Sequence, residues 1–130
     1  MFSDKKRVTA LMAIICLLFT IFPQVNIQAE TDKTEITIHY QEAAGNEKDR
    51  ALWVWAENLD GHVQPFTGED EFGKVARFTL DGTHERVGFI VRTDAWEKDG
   101  SDRWIEQFED GKAEVWVMSG DDEVYYSEPS

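Results

Sequence analysis

Five tryptophans stand in the 130 residues, and two of them are separated by a single position: Leu52-Trp53-Val54-Trp55. In an extended strand, residues i and i+2 point to one face, about 6.6–6.8 Å apart along the chain. Two indoles so placed form an apolar ledge for a ligand with flat apolar faces and polar edges. A pyranose ring is such a ligand: its C–H face stacks on indole while its hydroxyls stay free to hydrogen-bond. Covering roughly 100 Å² of apolar surface per ring at about 25 cal/mol/Å² gives a few kcal/mol for the pair before the costs of binding. The competing reading puts both indoles in a core. Leu52 and Val54 already supply one apolar face, so a half-buried strand needs no tryptophan on the other, whereas a strand buried on both faces would. The pattern alone leaves the two readings level.

A third indole, Trp96, lies in the stretch Thr93–Ile105, TDAWEKDGSDRWI, among Lys98, Asp99, Asp102 and Arg103. A large aromatic amid charges is poorly placed for a core. A lysine there can donate, and an aspartate accept, at vicinal sugar hydroxyls. On these residues alone, though, the segment reads first as a solvated loop with weak local ion pairs. The acids single out no catalytic pair. With 26 Asp and Glu, chance neighbours are inevitable, and a glycosidase needs two carboxylates facing each other across a cleft, for which a small β domain has little depth. The runs Glu69-Asp70-Glu71 and Asp121-Asp122-Glu123 lack the spacing of an EF-hand loop and read as solvated faces. His39, His62 and His84 are scattered, the serines lack a nucleophile elbow, and there is no glycine-rich phosphate loop. No catalytic residue, metal ion or cofactor is expected.

The elements that must position these side chains read as strands. Thr34–Tyr40 sets Ile36, Ile38 and Tyr40 against Thr37 and His39. Ala51–Ala56 sets Leu52 and Val54 against the two indoles. Lys74–Leu80 sets Ala76, Phe78 and Leu80 against Val75, Arg77 and Thr79. Arg86–Thr93 puts Val87, Phe89 and Val91 on one face, Ala113–Met118 alternates around Val115 and Val117, and Glu123–Tyr126 makes a last strand. Gln41–Arg50 reads as a polar loop, with turns at Asp60-Gly61 and Asp81-Gly82. Close-spaced strands of this kind predict an all-β sandwich or barrel over residues 34–127, and the reading adopted is an antiparallel, immunoglobulin-like sandwich.

Ahead of it, Lys5, Lys6 and Arg7 precede the apolar run Val8–Phe22, Pro23 breaks that run, and Ile27-Gln28-Ala29 ends on a small residue. This is the layout of a secretory signal peptide over residues 1–29, cleaved after Ala29. The run of 15 residues falls short of the roughly 20 needed for a membrane span. Cys16 lies inside it rather than at the cleavage point, so lipid attachment is not expected. Residues 30–33 make a short linker, and residues 128–130, with Pro129, open a second one. Without Lys5, Lys6, Arg7 and Asp4, the mature part keeps 10 Lys and Arg against 25 Asp and Glu and has no cysteine. That balance excludes nucleic acid as a partner and disfavours an anionic membrane surface. A domain with no disulfide must hold by packing alone, and an exported chain without cysteine is expected to be a secreted bacterial protein.

In order along the chain stand TEITIHY (34–40), LWVW (52–55), FTGEDEFGKVA (66–76), VGFIVR (87–92), the W-x-KD loop (96–99), DRWIE (102–106) and DGKAEVWVMSGDDEVYY (110–126). Together these motifs resemble carbohydrate-binding module family 41, the N-terminal starch-binding module of bacterial pullulanases, across nearly all of residues 33–127. The resemblance implies a β-sandwich that binds α-1,4-linked glucose in starch, glycogen and pullulan without catalysis, covalently joined to a catalytic domain absent from this chain. It implies that Trp53, Trp55 and Trp96 receive glucose units, that Lys98 hydrogen-bonds them, and that the accepting aspartate is Asp99 or Asp102. It assigns Trp104, where relatives often carry phenylalanine, to packing, and Trp116 is read the same way. The alternatives are a small secreted glycosidase acting on α-glucan itself and an acidic calcium-binding or interaction domain.

Overall fold

The computed structural model describes residues 32–130; the expected signal peptide and Cys16 lie outside the described residues. Within them, nine strands follow one another: β1 (Lys33–Gln41), β2 (Arg50–Ala56), β3 (Leu59–Gln64), β4 (Gly68–Glu69), β5 (Lys74–Asp81), β6 (Val87–Thr93), β7 (Arg103–Ile105), β8 (Lys112–Met118) and β9 (Asp121–Tyr125). They form a five-stranded sheet in the order β9-β8-β1-β5-β4 and a four-stranded sheet in the order β3-β2-β6-β7.

The alternation in the sequence decides which side of each sheet is buried. Ile36, Ile38 and Tyr40 of β1 meet Val115 and Val117 of β8 and Ala76 and Leu80 of β5. Facing them are Leu52, Val54 and Ala56 of β2, Val87, Phe89 and Val91 of β6, and Ile105 of β7; together these form one core cluster. Leu59, Phe66, Phe78, Phe108, Ala113 and Val124 close its rim. This is a sandwich built from the two inward-facing sets of alternating residues.

The structure departs from the sequence expectation in three places. First, the larger sheet is mixed, not wholly antiparallel: β1 and β8 run parallel, with Glu35 opposite Lys112 and Tyr40 opposite Val117. A parallel neighbour needs a long connection rather than a hairpin, and here the connection carries the whole second sheet. Second, Asp60-Gly61 lies inside β3. The turn is at Glu57-Asn58, where Asn58 takes the left-handed φ of 64° that asparagine tolerates better than most residues. Third, β6 is buried on both faces from Val87 to Arg92, because the outward side of Gly88, Ile90 and Arg92 is roofed by aromatic rings.

Candidate functional site

Those rings define the outer face of the four-stranded sheet. Leu52 and Val54 are fully buried, which turns Trp53 and Trp55 to the other side of β2, where both are half-buried. Register places Trp53 between Ile90 of β6 and Val63 of β3, and places Trp55 opposite Gly88. The two indoles do not lie as one flush plate. Trp53 leans over β3, its Nε1–Cε2–Cζ2 edge filling the space above Gly61, whereas the Cε2–Cζ2 edge of Trp55 leans over Gly88 of β6. Because β3 and β6 flank β2 on opposite sides, the rings splay apart.

Trp96 completes this face. The chain turns after β6, with the Trp96 amide donating to the Thr93 carbonyl at 2.9 Å and the Glu97 amide to Thr93 Oγ1 at 3.0 Å. Trp96 sits at a φ of 63°, uncommon for so bulky a residue, and is 46% exposed. Its ring meets Trp53 edge to face, with centroids 5.4 Å apart and planes at 67°. Beneath both lies Arg92, 5% exposed, its guanidinium carbon 4.6 Å from the Trp96 centroid and 6.0 Å from that of Trp53. Cation–π attraction of this kind strengthens when water is excluded. Sequence reading missed Arg92. The available signal was its place in the outward register of β6, alternating with Val91.

The loop that follows folds back on β6, with the Asp99 amide donating to the Val91 carbonyl at 2.9 Å and the backbone of Lys98 paired antiparallel with that of Arg92. Cross-strand partners share a face, so Lys98 stands on the side of the indoles. Its Nζ lies 3.7 Å from Asp102 Oδ1, and both side chains are about half exposed at 47%. Asp99 has the opposite parity. Its carboxylate accepts a hydrogen bond from the Tyr40 hydroxyl, on the core side. The structure therefore brings Trp53, Trp55, Trp96, Lys98 and Asp102 to one face and turns Asp99 away from it.

Asp99 belongs to a structural network. Burial pushes its carboxyl up, but hydrogen bonds from the Tyr40 and Ser119 hydroxyls and the charges of Arg103 and Arg50 outweigh this and hold it below the ordinary aspartate range. Burial first, and then the Asp99 carboxylate, push the Tyr40 phenol far above its usual range. A lowered folded-state carboxyl stabilises fully above its unfolded value, about 3.9, and that stability is lost as pH falls through the lower folded value. Asp99→Asn is accordingly expected to melt well below wild type at neutral pH, with the gap closing as pH drops below about 4; thermal melts across pH read this out. Part of the acid limb will survive the substitution. Asp70 is also held low, by the backbone amide of Gly73 foremost, Asp81 by Lys33 and Asp121 by the amide of Glu123.

The remaining indoles pack. Trp104 meets Trp55 edge to face at 5.3 Å and 82°, and the Arg86 guanidinium lies 3.7 Å over the Trp104 ring, covering it. Trp116 is on the outer face of the other sheet, stacked on His39 at 4.7 Å with planes 5° apart. His39 Nε2 is 2.7 Å from Glu114. Among the described residues, no group of three His, Cys, Asp or Glu is placed to hold a metal ion.

The sequence model of the bacterial pullanase-associated domain matches residues 34–126. The chain belongs to that family. Solved structures share the fold of this pullanase-associated domain. One is a multi-modular, glycogen-degrading pneumococcal virulence factor, SpuA, in a product complex, with a TM-score of 0.59 and 14% identity over 72% of this chain and 10% of the other. Another is a family 41 carbohydrate-binding module of Amy13K from Eubacterium rectale, with a TM-score of 0.54 and 21% identity over 75% of this chain and 97% of that module. A third comes from the family 41 modules of streptococcal virulence factors, described for α-glucan recognition, with a TM-score of 0.53 and 18% identity over 72% of this chain and 47% of theirs. The chain thus spans a tenth of SpuA and about half of the streptococcal modules.

Proposed function

We propose that the pullanase-associated domain described here is a non-catalytic binding module for α-1,4-linked glucans such as starch, glycogen and pullulan. One observation carries the reading: three indoles, Trp53, Trp55 and Trp96, stand on one open sheet face beside the Lys98–Asp102 pair. The α-glucan recognition described for the streptococcal modules supports the same ligand class. Rings of a curved glucan lie against the splayed indoles, and this stacking supplies most of the affinity. Lys98 donates to, and Asp102 accepts from, the 2- and 3-hydroxyls and so fixes ring orientation. No bond is made or broken. The family's association with pullulanases supports a role within a secreted, bacterial pullulanase-type hydrolase, exported by residues 1–29.

The test is a titration of maltoheptaose into the folded domain, read by tryptophan emission. Saturable change is expected. Lys98→Ala should weaken binding about tenfold, the loss of one charge-assisted hydrogen bond, with the melting temperature held, since Lys98 is exposed. Emission unmoved at millimolar sugar rejects the reading. Release of reducing sugar from pullulan by the domain alone would favour the glycosidase alternative.

A further inference from the structure

Most glycines of the domain are explained by their backbone. Gly45, Gly82, Gly100, Gly111 and Gly120 take positive φ. Gly61 and Gly88 do not, and both sit inside strands, where glycine forfeits packing and backbone entropy. Their identity is explained by the site. A Cβ on Gly61 would lie 2.5 Å from Trp53 Nε1, 2.6 Å from Cε2 and 2.7 Å from Cζ2; a Cβ on Gly88 would lie 2.5 Å from Trp55 Cζ2, 2.6 Å from Cε2 and 2.9 Å from Trp104 Cζ3. Contacts below 3.0 Å are essentially never made by real Cβ atoms, so each indole occupies the volume its glycine leaves empty.

We propose that Gly61 and Gly88 are positioning residues of the binding face: their missing side chains let Trp53 and Trp55 settle in opposite directions across β2, and this sets the splay that a sugar chain meets. The inference rests on the α-glucan reading for its ligand but not for its geometry. Trp53 is hemmed by Trp96 at 5.4 Å and Trp55 by Trp104 at 5.3 Å, so a ring lifted by one methyl group has no equivalent seat to move to. Simple shielding of a bare strand by an aromatic ring would stabilise the sheet without fixing the ring's orientation toward ligand.

The experiment compares Gly61→Ala and Gly88→Ala with Gly68→Ala, whose Cβ would enter open space. Far-ultraviolet circular dichroism checks the strands, near-ultraviolet circular dichroism without ligand reports the indoles, and calorimetric titration with maltoheptaose reports affinity. Gly61→Ala, on the sheet's edge strand, should keep its strands, change the near-ultraviolet spectrum and weaken maltoheptaose about tenfold or more. Gly68→Ala should change neither. Gly61→Ala should also lower the melting temperature in wild type but not on a Trp53→Ala background, where the clash is gone. An unchanged near-ultraviolet spectrum with affinity within about twofold of wild type, or the same melting loss with Trp53 absent, overturns the proposal. If wild type itself fails to bind maltoheptaose, the α-glucan reading falls, and the spectra and the melting cycle still decide whether the glycines seat the rings.

Discussion

Trp53→Ala is expected to abolish retention of the domain on insoluble starch and to weaken maltoheptaose by on the order of a hundredfold, the range of a central aromatic anchor. Trp53 is the hub of the face. It touches Trp96, overlies Gly61, stands opposite Ile90 and shares Arg92 with Trp96. Removing it takes away a stacking plane and also unseats Trp96. Because the ring is half-buried, the substitution should cost about 2 kcal/mol of stability as well, less than truncating a fully buried aromatic. Trp116→Ala is the matched control. It removes the same side chain from the outer face of the opposite sheet, at His39, and should leave affinity unchanged. Equal loss of binding in both variants would mean that the Trp53 face is not the site.

Arg103→Ala is expected to be the most damaging single substitution to the fold. Arg103 is 1% exposed, and its guanidinium donates to three carbonyls: Nη1 to Asp99 at 2.9 Å, and Nη2 to Met118 at 3.3 Å and Asp121 at 3.0 Å. It thereby ties the Lys98–Asp102 loop to the end of β8 and to β9, joining the two sheets at the margin of the site. Deletion leaves those carbonyls unpaired and the Asp99 carboxylate short of a neighbouring charge, at a cost of about 3–5 kcal/mol. For a domain of about 100 residues that is on the order of 15 °C or more in melting temperature. Arg103→Lys should not rescue it, since a single ammonium cannot present the planar fork to three acceptors. Urea unfolding of the three proteins settles the matter, and a Lys variant as stable as wild type would show that charge alone suffices.

The alternation of Leu52 and Val54 with Trp53 and Trp55 was legible in the sequence, because a two-residue period is a local property. So were β1, β5, β6 and β8. What escaped was non-local. Asp60-Gly61 has the composition of a turn, yet Gly61 is in a strand whose side-chain space is taken by a ring from β2. The choice between Asp99 and Asp102 hung on a fold-back after β6 that puts Lys98 opposite Arg92: it turns Asp99 to Tyr40, while Asp102 pairs with Lys98. Arg103 looked like one more charge in a polar loop, and only the convergence of β8, β9 and residue 99 makes it a buried tie. The parallel pairing of β1 with β8 left no trace in either strand, since both read equally well in either direction.

That pairing also constrains how the chain comes to be folded. Glu35 through Gln41 face Lys112 through Met118, so the first of the described strands sits in mid-sheet and waits for the eighth. Until residue 118 has emerged, one flank of β1 has no neighbour, and the larger layer cannot close. Contacts this distant along the chain slow folding, and a polypeptide that completes its architecture late keeps an unpaired strand flank open to the wrong neighbour until its proper one arrives.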